Sequence, residues 1–130
     1  MIVVDASVAL EVLLHPKEAR ALQARLLDPA ETLHAPHLID LEIAQVLRRY
    51  VRSGDATAGR CDAAIDDWLA FPVRRYPHEL LLPRVWALRH VLSAYDATYV
   101  ALAEALGAAL ITKDARIAQA TGHAARIEVA

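Results

Sequence analysis

Short apolar runs alternate along the chain with longer segments in which apolar residues recur at the three- and four-residue spacing of a helix. A short β-branched run is typical of a buried strand, whereas helical spacing predicts one apolar face packed on a core. Proline and glycine separate several of these segments. The pattern predicts strands at residues 2–4, 32–35, 73–76, 109–112 and 125–129, and helices at residues 8–14, 17–27, 38–51, 55–70, 79–92 and 96–106, with another beginning at residue 114.

The alternation of strands and helices predicts an α/β fold. Strands joined by helices form parallel sheets that are covered on both faces and connected by right-handed crossovers. No linker or low-complexity segment divides the 130 residues, so we expect one domain over residues 1–130. Open parallel sheets bind ligands outside the carboxyl ends of their strands. Acidic residues placed directly after strands are therefore the first candidates for a functional site.

The composition excludes several classes of protein. Cys61 is the single cysteine, which excludes a disulfide-rich secreted scaffold and favours a reducing, cytoplasmic location. The chain shows neither a signal peptide nor an apolar stretch long enough to span a membrane, so we expect no membrane association. The 14 Lys and Arg residues and 16 Asp and Glu residues give a net charge of −2, unlike a protein that binds nucleic acid through bulk positive charge. Chemistry on nucleic acid would need a local site.

Three aspartates stand at strand ends or at helix starts. Asp5 follows the first predicted strand, Asp114 follows the strand at 109–112, and Asp96 begins a very apolar helix. Because the carboxyl ends of parallel strands share one edge, we expect Asp5 and Asp114 to lie on the same edge of the sheet. The alternative for each aspartate is structural, namely a side-chain oxygen that caps the following helix.

Glu42 lies within an apolar helical stripe. Its neighbours at helical spacing are apolar, which places the carboxylate on the face directed toward the core. An unpaired buried carboxylate costs several kcal/mol, so this position implies a partner. The alternative is a glutamate at the edge of the stripe that pairs with an arginine or reaches solvent. Asp40 lies on the other face of the same helix and is expected to need no partner.

Four acids in one pocket would repel one another strongly. Two carboxylates about 5 Å apart cost roughly 3 kcal/mol at an effective dielectric constant near 20. Protonation or a bound cation must relieve that repulsion. Sites built only from carboxylate oxygens suit hard ions such as Mg²⁺ and Mn²⁺, which activate water and stabilise charge in phosphoryl transfer. Such an ion would also supply the positive potential that the chain lacks.

Four segments in order carry a resemblance to a known family. They are Asp5-Ala-Ser-Val8, Pro36-His-Leu-Ile-Asp-Leu-Glu42, Tyr95-Asp96-Ala-Thr-Tyr99 and Thr112-Lys-Asp114-Ala-Arg-Ile-Ala118. Together they span nearly the whole chain, which resembles the PIN-domain family and specifically the VapC-type toxins of type II toxin–antitoxin systems.

The resemblance implies a fold, an activity and a set of site residues. The fold is a three-layer α/β/α sandwich with a mainly parallel central sheet, and the activity is Mg²⁺- or Mn²⁺-dependent endoribonuclease cleavage of RNA. The implied partners are a second copy in a homodimer and a small VapB-like antitoxin. Gln45 departs from the asparagine that many relatives carry there. The implied metal-binding and catalytic acids are Asp5, Glu42, Asp96 and Asp114, with Ser7 and Thr112 as supporting hydroxyl positions.

Other chemistry-bearing residues have simpler interpretations. His34 and His37 lack a second pair of zinc ligands and are expected to be solvated loop residues. A basic cluster at the end of the 38–51 helix could contact RNA or an acidic antitoxin segment, or could interact only with the helix dipole. The scattered aromatic residues indicate core or interface packing rather than a base-stacking platform. These residues are Arg48, Arg49 and Arg52 in the cluster, and Trp68, Trp86, Tyr95 and Tyr99 among the aromatics.

Two other functions remain open at the level of sequence. The first is a phosphatase or phosphoacceptor domain with Asp5 as the nucleophile, although such enzymes usually carry a second aspartate where Ser7 stands. The second is a non-catalytic PIN-like module that binds a partner through the acidic groove. A trapped aspartyl-phosphate would favour the first, and failure to bind Mg²⁺ or Mn²⁺ would favour the second.

Overall fold

The computed structural model describes residues 1–130 and contains five parallel strands in the order β3-β2-β1-β4-β5. The predicted strands agree with the structure to within a residue, and the predicted α/β class is confirmed. The strands are β1 Ile2–Val4, β2 Leu33–Pro36, β3 Val73–Tyr76, β4 Ala109–Thr112 and β5 Arg126–Val129. The helices are α1 Ala6–Leu14, α2 Arg20–Leu26, α3 Leu38–Ser53, α4 Ala58–Ala70, α5 Leu82–Ala87, α6 Ala94–Leu106 and α7 Ala115–Gln119, with a 3-10 helix at Glu79–Leu81.

The strand order divides the helices into two layers. From β1 the chain steps outward through β2 to β3, and it then returns across the sheet to β4 and β5. Because crossovers between parallel strands are right-handed, this reversal places the helices between β1 and β3 on one face and those between β3 and β5 on the other. Helices α1, α3 and α4 pack on one another, whereas α6 packs on α5 and on the three central strands. The result is a three-layer α/β/α sandwich.

The core explains which elements are buried most deeply. All residues of β1, β2 and β4 are buried, as expected for strands that are covered on both faces. Helix α6 has seven consecutive buried residues, 97–103, because it lies across the middle of the sheet. No helix of the structure has the length and apolar character needed to cross a bilayer.

The segment before α6 differs from the prediction. The predicted helix at 79–92 is instead a 3-10 helix followed by the short α5, with turns from Leu88 onward. Helix α6 then begins at Ala94, because Ser93 adopts an extended backbone and its hydroxyl accepts a hydrogen bond from the Asp96 N–H. The prediction that Asp96 caps this helix is therefore wrong. Ser93 is the cap, and the Asp96 side chain is left available for another role.

Candidate active site

The sheet reverses direction between β1 and β4, and two of the predicted acids lie there. Asp5 follows β1 and Asp114 lies two residues beyond the end of β4, so both are at the carboxyl edge. The Asp5 N–H donates to the carbonyl oxygen of Ile111 at 3.1 Å, which ties the end of β1 to β4. A crevice at such a switch point is where open α/β sheets bind their ligands.

Two hydroxyl groups orient the Asp5 carboxylate. Its Oδ2 accepts hydrogen bonds from Ser7 Oγ at 2.8 Å and from Thr112 Oγ1 at 2.5 Å, and the residue is 8% exposed. Backbone N–H groups hold both hydroxyls in turn, since Lys113 N donates to Ser7 Oγ and Asp114 N donates to Thr112 Oγ1. The Asp5 side chain makes no capping hydrogen bond to α1, which excludes the structural alternative for this residue. Its Oδ1 accepts no hydrogen bond from the protein and stays available.

Glu42 is half-buried on α3 and has one hydrogen-bond donor. The Tyr99 hydroxyl donates to Glu42 Oε1 at 2.6 Å. Burial raises the pKa of the Glu42 carboxyl, the Tyr99 hydrogen bond partly offsets this, and the nearby charges of Asp5 and Asp96 raise the pKa further. Glu42 therefore does reach the acidic edge from the apolar stripe, and no arginine pairs with it.

Asp96 completes the group of interacting acids. Burial raises the pKa of its carboxyl, and the charge of Asp5 and, more weakly, that of Asp114 raise it further. The Ser93 hydroxyl and the positive charge of Arg116 act in the opposite direction. The electrostatic influence of these acids on one another indicates that side chains from β1, α3, α6 and the β4–α7 loop share one edge.

Asp114 differs from the other three because it already has a cation. Its carboxylate accepts hydrogen bonds from Arg116 Nε at 3.0 and 3.2 Å and from a terminal guanidinium nitrogen at 2.6 Å. This pairing lowers the pKa of the Asp114 carboxyl. Asp114 also caps α7, because its carboxylate accepts a hydrogen bond from the Arg116 N–H. The helix cap that was the structural alternative for this residue is therefore present. Arg116 itself is on the surface, with 85% of its side chain exposed.

The donor set fits a hard divalent ion. All four acids offer carboxylate oxygens, and burial, with a smaller contribution from the charges of neighbouring acids, raises the pKa of Glu42 and Asp96. In this conformation no three His, Cys, Asp or Glu side chains stand close enough to form a ready-made chelate. The acids therefore lie near one another without forming a complete set of metal ligands. A cation placed among them would relieve the repulsion between their negative charges.

Tyr99 and Arg116 are the two site residues that sequence analysis missed. Tyr99 was assigned to packing, and it is fully buried, but its hydroxyl also holds Glu42. The available signal was a phenol in an otherwise apolar helix, three residues after Asp96, because a buried hydroxyl needs a partner. Arg116 follows Asp114 by two residues, and that spacing suits an arginine that returns to the carboxylate of a helix cap.

Two further expectations are corrected by the structure. His34 is not a solvated loop residue: it is 5% exposed on β2, and its ring nitrogens hydrogen-bond Thr32 Oγ1 at 2.8 Å and the Tyr76 hydroxyl at 2.6 Å. Asp40 was expected to need no partner, but its carboxylate accepts from Trp68 Nε1 and pairs with Arg75. Both errors arise from contacts with β3 and α4, which are distant in sequence.

The remaining candidates lie outside this group. His37 is exposed immediately before α3, Gln45 is exposed, and the cluster of Arg48, Arg49 and Arg52 is exposed at the end of α3. Trp68 is buried, as expected for packing. Trp86 and Tyr95 are 67% and 66% exposed, so they do not pack in the core of one chain.

Comparison with known proteins places the chain in a family. A model of the PIN domain matches residues 2–122. Ribonuclease VapC9 of Mycobacterium tuberculosis is 50% identical over 124 residues, which are 95% of this chain and 93% of the relative. Ribonuclease VapC12 of the same organism is 40% identical over 129 residues, 99% and 98% of the two chains.

The fold gives the same result. A crystal structure of VapBC2 from Rickettsia felis bound to a DNA fragment from its promoter has a chain that superimposes with a TM-score of 0.74, at 13% identity, covering 99% of this chain and 98% of that one. The confirmed α/β/α sandwich, the match over residues 2–122 and the 50% identical relative agree. The chain belongs to the PIN domain family, within its VapC group.

Proposed function

We propose that this chain is a Mg²⁺- or Mn²⁺-dependent endoribonuclease and the toxin of a type II toxin–antitoxin pair. The observation that carries the proposal is the orientation of Asp5 by Ser7 and Thr112, next to two acids whose pKa values are raised. Asp5, Glu42 and Asp96 form no ion pair with a basic side chain, in contrast to Asp40, which pairs with Arg75. The proposal draws further support from relatives that are named as VapC ribonucleases and match almost the full length of the chain.

The residues proposed to hold the ion are Asp5, Glu42, Asp96 and Asp114. When bound, Mg²⁺ or Mn²⁺ would activate water and stabilise charge on a phosphodiester. Ser7 and Thr112 keep one oxygen of Asp5 fixed, so the other points in a defined direction. Tyr99 fixes Glu42 in the same way and helps to keep its carboxylate in the charged form that binds cations.

The protein partners are part of the proposal. We propose that the chain forms a homodimer, that a small VapB-like antitoxin blocks the acidic edge, and that the protein acts in the cytoplasm as one domain. Large apolar side chains exposed around the start of α6 support a contact with another protein chain, because such patches are uncommon on free surfaces. They are Leu80, Leu82, Trp86, Val91 and Tyr95. Light scattering of the purified protein, with and without antitoxin, measures both assemblies.

RNA cleavage by purified, antitoxin-free protein tests the function. We expect cleavage of single-stranded RNA with Mg²⁺ or Mn²⁺ and none with EDTA. Asp5→Asn should reduce the rate at least about 100-fold without unfolding the protein, because it removes a charge that the site holds in place. Asp66→Asn is the matched control, since Asp66 is an exposed carboxylate on α4.

Three outcomes would reject the proposal. Undiminished cleavage by the Asp5→Asn variant would show that the activity arises elsewhere. A stable aspartyl-phosphate on Asp5, formed from a small phosphodonor without RNA cleavage, would identify a phosphoacceptor domain instead. If calorimetry detects no binding of Mg²⁺ or Mn²⁺ and no RNA is cut, a non-catalytic module replaces the nuclease.

A further inference from the structure

Two basic residues stand on either side of Asp114. Lys113 directly precedes it in the loop that joins β4 to α7, and Arg116 follows two residues later in the first turn of α7. Lys113 extends toward α1, where its Nζ lies 3.4 Å from Glu11 Oε2. Arg116 extends toward the acids, because it pairs with Asp114 and also interacts electrostatically with Asp96. The β4–α7 loop and the first turn of α7 therefore carry a positive charge on each side of one candidate ligand.

Both cations pair with carboxylates that another anion could replace. The separation of 3.4 Å between Lys113 and Glu11 is too long for a strong charge-assisted hydrogen bond. Arg116 makes shorter contacts with Asp114, but its side chain is 85% exposed, and water and salt screen such a pair. An RNA phosphate could replace the carboxylate partner of either residue. Asp114 in particular is a candidate metal ligand, so binding of a divalent ion there would release the guanidinium.

A cavity lies beside Lys113, between α1, α3 and the β4–α7 loop. It has a volume of about 250 Å³, and its lining includes Ser7, Glu11, His15, Tyr50 and Lys113. None of the four candidate ligands lines it, but Ser7 connects it to the site, because the Ser7 hydroxyl donates to Asp5 at 2.8 Å. Its volume is below the roughly 300 Å³ at which ligand pockets usually begin, which suits one planar base better than a larger ligand. Tyr50 supplies an aromatic face and His15 a polar ring.

The location of these cations matters because the chain is not basic. With a net charge of −2, it has no excess of positive charge that could hold a polyanion. A nuclease with such a composition must place its phosphate contacts locally, and the β4–α7 loop and the start of α7 place one cation on each side of Asp114.

We propose that Lys113 and Arg116 bind neighbouring phosphates of single-stranded RNA, with the base between them seated in the cavity beside Ser7 and Tyr50, and that Glu11 and Asp114 hold the two cations until RNA is bound. This inference rests on the proposed function and names the contacts that its substrate makes. A single strand is specified because only an unstacked base can enter a cavity of this size.

Charge-removing substitutions with matched controls test the inference. Lys113→Gln and Arg116→Gln are compared with Lys17→Gln, which removes the chain's only other lysine at an exposed turn, and with Arg126→Gln at the start of β5 on the opposite edge of the sheet. We expect KM for RNA to rise about tenfold for Arg116→Gln and about threefold for Lys113→Gln, with kcat changed less than twofold, because the contacts are made equally in the ground state and the transition state.

The salt dependence gives a second readout. Each lost phosphate contact on a single strand should reduce the slope of log binding constant against log salt concentration by about 0.7. Lys113→Arg and Arg116→Lys retain the charge, so both variants should retain the slope. If the two residues had a purely structural role, the slope would not follow the charge of the side chain. The two control variants should leave both KM and the slope unchanged.

Metal binding separates the two residues. Titration of RNA-free protein with Mn²⁺ should show affinity increased up to about fivefold in Arg116→Gln, since the competing guanidinium has left Asp114. Lys113→Gln should bind Mn²⁺ as the unsubstituted protein does. Weaker RNA binding together with tighter Mn²⁺ binding in one variant is a combination that loss of folding cannot produce.

Several results would overturn the inference. KM and salt slopes equal to those of the unsubstituted protein in both variants would remove these residues from the RNA path, and cleavage would still support the proposed function. Weaker binding of an acidic protein segment with RNA binding unchanged would reassign the loop to a protein partner. If the unsubstituted protein cuts no RNA, fluorescence anisotropy with a labelled single strand still measures the effect of each variant on RNA affinity.

Discussion

Two acids on α3, Asp40 and Glu42, are two positions apart in the sequence and have opposite environments. Asp40 accepts a hydrogen bond from Trp68 Nε1 at 2.7 Å and forms an ion pair with Arg75 at 2.8 Å. Glu42 has one neutral donor, Tyr99, and lies within the electrostatic influence of two further acids. The acid on one face of the helix is thus paired with a cation, whereas the acid on the other face lies near further acids and has no such pair.

The difference between the two environments indicates that one acid serves stability and the other serves function. A carboxylate with a cation and an indole N–H contributes to the packing of α3 on α4 and β3. Half-buried carboxylates that repel one another reduce stability, and a protein retains such a group where the unbalanced charge has a use. Binding of a divalent cation is the use that this geometry and donor chemistry favour. Substitutions on the two faces should therefore have opposite effects on stability and on cleavage.

Asp96→Asn should have the largest effect on cleavage, and the sign of its effect on stability is the clearest test of the contrast. Because the folded-state pKa of Asp96 is raised, its ionisation near pH 7 opposes folding, and this cost is absent at pH values below the unfolded pKa. Removal of the charge should increase the free energy of unfolding in EDTA and reduce cleavage at least about 100-fold. Thermal unfolding and a cleavage assay measure the two effects.

Addition of Mg²⁺ provides the control for that variant. The ion should stabilise the unsubstituted protein more than the Asp96→Asn variant, so the difference in stability should shrink or change sign. A variant that is less stable than the unsubstituted protein in EDTA would show that Asp96 supports the fold, and the contrast with Asp40 would then fail.

Asp40→Ala tests the other face of α3. The substitution leaves the buried Trp68 indole N–H and the Arg75 guanidinium without their acceptor. Part of the pair is exposed, so we expect the free energy of unfolding to fall by about 1–2 kcal/mol. Cleavage, measured well below the midpoint of thermal unfolding, should stay within twofold of the unsubstituted rate. A loss of activity comparable with that of Asp96→Asn would mean that the two faces are not independent.

The same contrast shows what the sequence could predict. The alternation of apolar runs located all five strands, and with the crossover rule it placed Asp5 and Asp114 on one edge. The apolar stripe on α3 identified Glu42 as a carboxylate that needs a partner. These features repeat along the chain or depend on neighbours one helical turn away, so one sequence is enough to reveal them.

The errors concern contacts between residues far apart in sequence. Arg75 reaches Asp40 across 35 positions, and Tyr76 reaches His34 across 42, so no local spacing indicates either pair. Residues 79–92 were predicted as one helix, but they form a 3-10 helix and the short α5 followed by turns, and Ser93 then adopts the extended backbone that caps α6. The strand order decides which distant side chains meet, and it has no local signal in the sequence.

Tyr99→Phe tests a neutral group that connects the acidic edge to the core. The substitution retains the buried ring and removes the hydroxyl that donates to Glu42. Glu42 then loses the hydrogen bond that favours its charged form, so we expect cleavage to fall about fivefold and a higher Mn²⁺ concentration to be needed. Tyr95→Phe is the matched control, because the Tyr95 hydroxyl makes no hydrogen bond and its side chain is exposed. Equal rates for the two variants would remove Tyr99 from the site.

His34 extends the comparison to a buried polar group that avoids charge altogether, and it carries the smallest expected effect. Burial lowers the pKa of its imidazole, and the positive charges of the N-terminus and Arg74 lower it further. A depressed pKa means that the contribution of His34 to stability is complete above the unfolded value near 6.5 and is lost as the pH falls through the folded value.

We therefore expect the free energy of unfolding to fall by less than about 1 kcal/mol from this source between pH 7 and pH 5. His34→Gln should make the pH dependence of urea unfolding shallower in that range, and the same substitution at the exposed His90 should not. Cleavage at pH 7 should be unaffected by either, because the His34 hydrogen bonds lead to Thr32 and Tyr76 rather than to the acids. An unchanged pH slope in His34→Gln would show that burial of this imidazole does not contribute to the acid sensitivity of the fold, and the contrast between a buried neutral group and the unbalanced acids would lose its energetic basis.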